Sequence, residues 1–106
     1  MKYTIAVLAA AHADVEQIID WLEERSKAGV IHWIESYEAA LDVLTQEPER
    51  HALAPEASVL QRPVRQLLFR TRRGRRYRLI YLVDGMEVQI LRVRTPSERP
   101  LDSSDI

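Results

Sequence analysis

Beyond its opening stretch, the apolar residues of this chain change their spacing once, at Pro63, and that switch limits the folds open to it. Before it, Val15, Ile18, Ile19 and Leu22 recur at i, i+3, i+4 and i+7, one stripe of a helix. Val30, Ile34, Tyr37, Leu41 and Leu44 keep a four-three-four-three spacing, a second helix over residues 30–46 that Pro48 closes. Asp14 is the expected N-cap of the first helix, with Gln17 at the capping-box position, and residues 26–29 break the pattern between the two. Helices linked this tightly are expected to lie antiparallel, as a hairpin.

After Pro63 the runs shorten and fill with β-branched and aromatic residues. Residues 64–70, 76–83 and 86–93 read as strands, as does the opening stretch 3–9. Asp84-Gly85 between two apolar runs is a hairpin signal, because a type I′ turn needs φ > 0 twice. That turn sets Val83 against Met86, Tyr81 against Val88, Leu79 against Ile90 and Arg78 against Leu91. One sheet face then carries Leu79, Tyr81, Val88 and Ile90 and suits the helix hairpin. The other, with Ile80, Leu82 and Leu91 beside Arg78 and Gln89, is expected to lack a cover from its own chain. The fold class is α+β: a strand, a two-helix antiparallel hairpin, then a three-stranded antiparallel meander, in one mostly antiparallel sheet.

A length of 106 residues suits one domain, with its core over about 2–95 and a serine-containing tail over 96–106 expected to fray. There is no cysteine, which removes disulfides and thiolate chemistry. The opening apolar stretch reads as a strand rather than a signal peptide, so the expected compartment is the cytoplasm, with no membrane partner.

The net charge of −1 hides a segregation. Residues 1–60 hold 4 Lys+Arg against 11 Asp+Glu, and residues 61–106 hold 11 arginines against 5 acids. Eight arginines and no carboxylate lie between Ala57 and Val83. Arg70, Arg72, Arg73, Arg75 and Arg76, interleaved with Phe69, Tyr77 and Tyr81, have the composition of a surface for phosphates or an acidic partner. A solvated hairpin tip is the plainer explanation of the same residues.

Other chemistry is sparse. His12, His32 and His51 are far apart and have no metal-ligand spacing, so neither metal nor cofactor is expected. Paired carboxylates fall on exposed helix faces, and no nucleophile elbow, P-loop or dinucleotide fingerprint occurs.

Three stretches together resemble the RelE/ParE superfamily of type II toxins, the plasmid stabilisation proteins: EQIIDWLEERS, WIESYEAALDVLTQEP and, above all, RQLLFRTRRGRRYRLIYLVDGMEVQILRVR. The resemblance implies two helices on a mostly antiparallel sheet and growth arrest relieved by a cognate antitoxin in a hetero-oligomer. One branch of that superfamily cleaves mRNA in the ribosome, and the ParE-like branch inhibits DNA gyrase without catalysis of its own. Arg78 matches the strand arginine that cleaving members set against the scissile phosphate. After the last strand, Arg94 and Arg99 supply charge, but no His or Tyr follows to act as general acid or base. The resemblance therefore leans to the ParE-like branch, with Arg70, Arg72, Arg73, Arg75, Arg76 and Arg94 as target-binding residues. Ile80, Leu82 and Leu91 would accept the antitoxin. The alternatives are a ribosome-dependent endoribonuclease with Arg78 catalytic, and a non-toxic homologue that only binds a partner protein.

Overall fold

A computed structural model describes residues 2–71, 74–96 and 98–105. The chain runs β1 (Thr4–Val7), α1 (Ala9–Glu23), α2 (Lys27–Val43), a 3-10 turn (Pro48–Arg50), α3 (Glu56–Leu60), β2 (Arg65–Arg70), β3 (Arg76–Asp84), β4 (Glu87–Arg94) and a second 3-10 turn (Ser103–Asp105). The strands form one sheet in the order β1-β4-β3-β2, with β1 parallel to β4 and the other neighbours antiparallel. The expected α+β order of strand, helix pair and meander is the observed one.

Helix boundaries differ from the sequence reading for identifiable reasons. The first helix starts at Ala9 with Leu8 as its cap, five residues before Asp14, because the alanine-rich stretch 9–13 favours helix over strand. Asp14 therefore lies inside α1 and caps something else. Ser26 caps α2 by accepting from the amide of Gly29 at 3.0 Å, so the linker is only residues 24–26.

The β3–β4 hairpin closes at Asp84↔Glu87, leaving Gly85-Met86 as the loop. Gly85 has φ 60° and Met86 does not enter the left-handed region, so only the first loop residue needs glycine, as in a type II′ turn. The register is Val83↔Val88 and Tyr81↔Ile90, two residues from the expected one. A shift of two preserves side-chain faces, so the expected helix-facing residues still face the helices.

Between Tyr81↔Ile90 and Ile80↔Arg92 the register slips by one, a β-bulge that leaves Leu91 as the extra residue of β4. The bulge reverses the parity of everything after it. Val93 joins Val88 and Ile90 on the helix side, while Arg94 lands opposite Arg78 on the far face.

Each face of the sheet packs a core. On one side Leu79, Tyr81, Val88, Ile90 and Val93 meet Ala11, Trp33, Tyr37, Ala40 and Leu44. Trp33 stacks on Tyr37 at 5.0 Å and meets the edge of Tyr77 at 5.6 Å, with Phe69 completing the aromatic group. On the other side Ile80, Leu82 and Leu91 pack with Ala54, Val64 and Leu101, and Leu60 lies against them.

This second core corrects two expectations. The far face is not open: residues 54–64 and the C-terminal stretch cover it, and Ile80, Leu82 and Leu91 are buried. Nor are the described residues of the tail frayed. Leu101 is inserted into that core, and Arg99 grips Asp105 through two bonds of 2.8 and 2.9 Å. Burial of apolar surface explains both results, since three large aliphatic side chains on one face are stabilised by any apolar cover the chain can fold back.

Candidate functional site

The arginines singled out from sequence fall into separate environments. Arg78 points into the far-face core and is only 7% exposed. Its Nη1 and Nη2 donate to Glu56 Oε2 and Oε1 at 3.0 and 2.6 Å, and its Nε donates to Gln66 Oε1 at 2.9 Å. Glu56 is fully buried and also accepts the amide of Leu101 at 3.2 Å. Burial alone would raise the Glu56 carboxyl, but the Arg78 and Leu101 hydrogen bonds outweigh it and hold the group below its ordinary value. The endoribonuclease alternative would have Arg78 present its guanidinium to a scissile phosphate, and the structure places that group in the interior. All its nitrogens are committed inside the protein, because an arginine on a buried face must be neutralised there.

Arg94 stands directly across from Arg78 and is also buried, with Glu98 at 3.8 Å and its Nε without an acceptor among the described residues. Arg70 and Arg76 form the next cross-strand pair on the same face and are exposed. Like charges set directly opposite one another repel, so this pair costs stability unless an anion sits against it. Arg72 and Arg73 lie outside the described residues. Arg75 takes the other direction, reaching the helix side of the sheet, where its guanidinium lies 4.9 Å from the ring centroid of Trp21. The described hairpin arginines thus do not form one patch, since neighbouring strand residues alternate between faces.

Two carboxylates whose partners sequence reasoning did not find organise the rest. Glu56 carries one signal in the sequence: it is the last acid before the arginine run. Asp14 carries none, because its partners are nearly eighty residues away. Asp14 receives Arg92 Nε and Nη2 at 2.7 and 2.8 Å and the amide of Val93 at 2.9 Å. β1 ends its pairing at Val7↔Ile90, so Asp14 supplies the acceptor that a longer β1 would have given β4.

On the helix side, a groove of about 680 Å³ opens between the α1–α2 link and the β2–β3 hairpin, with Trp33 and Tyr77 among its apolar walls and Arg25 and Arg75 at its rim. Among the described residues no group of His, Asp and Glu is arranged to hold a metal ion. His12 pairs with Glu16 at 3.1 Å on an exposed helix face. No described helix is long and apolar enough to cross a membrane.

Comparison with known proteins places this geometry. Residues 5–100 match the family described as ParE toxin of type II toxin-antitoxin system, parDE. No curated protein matches the sequence. Among solved structures, a chain of the chromosomal ParDE toxin-antitoxin system from P. aeruginosa is similar with a TM-score of 0.65 at 22% identity, covering 89% of this chain and 96% of that one. A chain of the RelBE2 toxin-antitoxin complex from Mycobacterium tuberculosis aligns with a TM-score of 0.49 at 26% identity, covering 90% and 99%. The first of these shows a shared fold.

Proposed function

Because the chain belongs to the ParE toxin family of type II toxin-antitoxin systems, we propose that it arrests bacterial growth by binding and inhibiting DNA gyrase, and that a cognate antitoxin neutralises it in a hetero-oligomer. The observation that carries the non-catalytic part of this reading is the buried Arg78–Glu56 pair. A ribonuclease needs a cation that can meet charge developing on phosphorus, with an acid or base beside it. Here the matching arginine is occupied by a carboxylate. The exposed Arg70 and Arg76 support a role in contacting the target, since their mutual repulsion is relieved by an acidic partner. The antitoxin engages surface other than Ile80, Leu82 and Leu91, which the chain's own C-terminal stretch covers.

The test is pulse-labelling of DNA and protein synthesis after inducing the chain alone in a bacterium, followed by a supercoiling assay with purified gyrase. DNA synthesis should stop first, and supercoiling should fall with added protein. Early loss of protein synthesis would replace this reading with the ribosome-dependent one. Loss of neither would leave a homologue that only binds a partner.

A further inference from the structure

β1 is an outer strand of the sheet, and one side of it pairs with no other strand among the described residues. The Thr4 amide donates to the Met86 carbonyl at 2.9 Å and the Leu8 amide to the Ile90 carbonyl at 3.0 Å, so the even-numbered residues of this stretch bond to β4. Alternation turns the amides and carbonyls of Ile5 and Val7 the other way, where they have no hydrogen-bond partner among the described residues. Tyr3 shares their parity, but its amide is already served by the Thr45 carbonyl at 2.9 Å. The side chains of Val7 and Leu8 are exposed.

Free edges are normally blunted by charge, by proline or by a covering segment. The opposite edge of this sheet has such protection. Arg65 and Arg70 stand in β2, and the Leu53↔Arg65 bridge lays residues 52–54 along its first half. β1 has none of these, since residues 3–11 contain no charged residue, no proline and no glycine.

We infer that β1 pairs antiparallel with β1 of a second copy of this chain, joining two four-stranded sheets into one about a twofold axis at Ala6. In that register Ile5 of each copy faces Val7 of the other. Each facing pair exchanges both of its N–H···O bonds, so every outward group of the two residues is used. An uncharged edge suits a second copy in particular. A twofold axis sets residues beside their own images, so a charge near Ala6 would repel itself, and a charged foreign segment would meet no counter-charge here. Ala6 sits where the paired strands come closest, and exposed Ala9 and Ala10 follow, small side chains that permit the approach. Ile5 and Val7 stand beside Val88 and Ile90, so the pairing carries the helix-side apolar layer from one copy into the other. The shortness of β1 limits the pairing to two residues per copy, which sets the affinity in the micromolar range. This inference goes beyond the gyrase reading and does not rest on it.

The experiment is sedimentation velocity of the purified chain from micromolar to millimolar concentration, with amide exchange followed by NMR at both ends of that range. The chain should pass from monomer to dimer. Exchange at the Ile5 and Val7 amides should slow as it does so, while the outward amide of Leu68 on the β2 edge keeps its rate. Ala6→Lys and Ala6→Asp should each weaken dimerisation at least about tenfold, because the axis opposes like charges, and an equal mixture of the two should restore it. Restoration by mixing also shows that both variants are folded. Leu68→Lys, a new charge on the other edge, should leave dimerisation unaltered. A monomer at every concentration, equal slowing at Leu68, native-strength dimers of either Ala6 variant alone, a mixture that stays monomeric, or loss of the dimer in Leu68→Lys would each overturn the inference. The readout is self-association of purified protein, so the result stands whether or not the chain arrests growth.

Discussion

Glu56 and Arg78 lie 22 residues apart in the chain and meet through two parallel hydrogen bonds of 3.0 and 2.6 Å beneath the C-terminal stretch. Such a pair is geometrically specific but adds little net stability over a well-packed apolar pair, while removal of one partner strands a buried charge. The pair fixes where α3 and Leu101 sit on the sheet, and it withdraws Arg78 from any surface chemistry.

Substitutions at the pair should therefore be strongly non-additive. Arg78→Ala or Glu56→Ala should each cost about 3–5 kcal/mol, and the double variant Glu56→Leu with Arg78→Met should recover most of that. Urea unfolding measures all three. The double variant should also retain growth arrest, whereas a catalytic arginine would make it inert.

Acid should destabilise the protein through Glu56. Its folded value lies below its ordinary 4.5, so its contribution is fully present above that value and is lost as pH falls through the folded one. Unfolding free energy measured from pH 6 downwards should fall more steeply for the native chain than for Glu56→Gln. Parallel curves would show that the carboxylate is not the acid-sensitive group.

Tyr81 governs the alkaline side. Its hydroxyl donates to the carbonyl of Pro48 at 2.6 Å, and burial pushes its ionisation up to about 12. A raised folded value means stability present below the ordinary 10.0 and lost as pH rises towards 12. Tyr81→Phe should flatten that loss in a pH series followed by circular dichroism.

Asp14 should behave as a strand cap rather than a helix cap. Asp14→Ala removes three acceptor contacts to Arg92 and Val93 and should cost about 1.5–3 kcal/mol. Hydrogen exchange at the Val93 amide should accelerate selectively, while the amides at the start of α1 stay protected. Equal acceleration at both would return Asp14 to the helix terminus.

Leu101 should act as the plug of the far-face core. Leu101→Ala should cost about 2–5 kcal/mol, and truncation after Pro100 should uncover Ile80, Leu82 and Leu91. Binding of a hydrophobic dye reports the exposure, and an unchanged signal would mean that residues 54–64 suffice as cover.

Local pattern alone carried much of this protein. The 3.6-residue stripes gave α1 and α2, and the β-branched runs with Asp84-Gly85 gave β3 and β4. Even a register two residues out kept Leu79, Tyr81, Val88 and Ile90 on the helix side, because strand faces repeat every two residues. These are properties of neighbours in the chain, and a sequence displays its neighbours. Tertiary structure decided the rest. The bulge at Leu91 set Arg94 beside Arg78, Glu56 and Leu101 closed the face that held them, and Asp14 was drawn to Arg92 and Val93. Each of these depends on a buried charge or strand amide finding its partner across tens of residues. Desolvation makes that partner obligatory without making its position in the sequence legible.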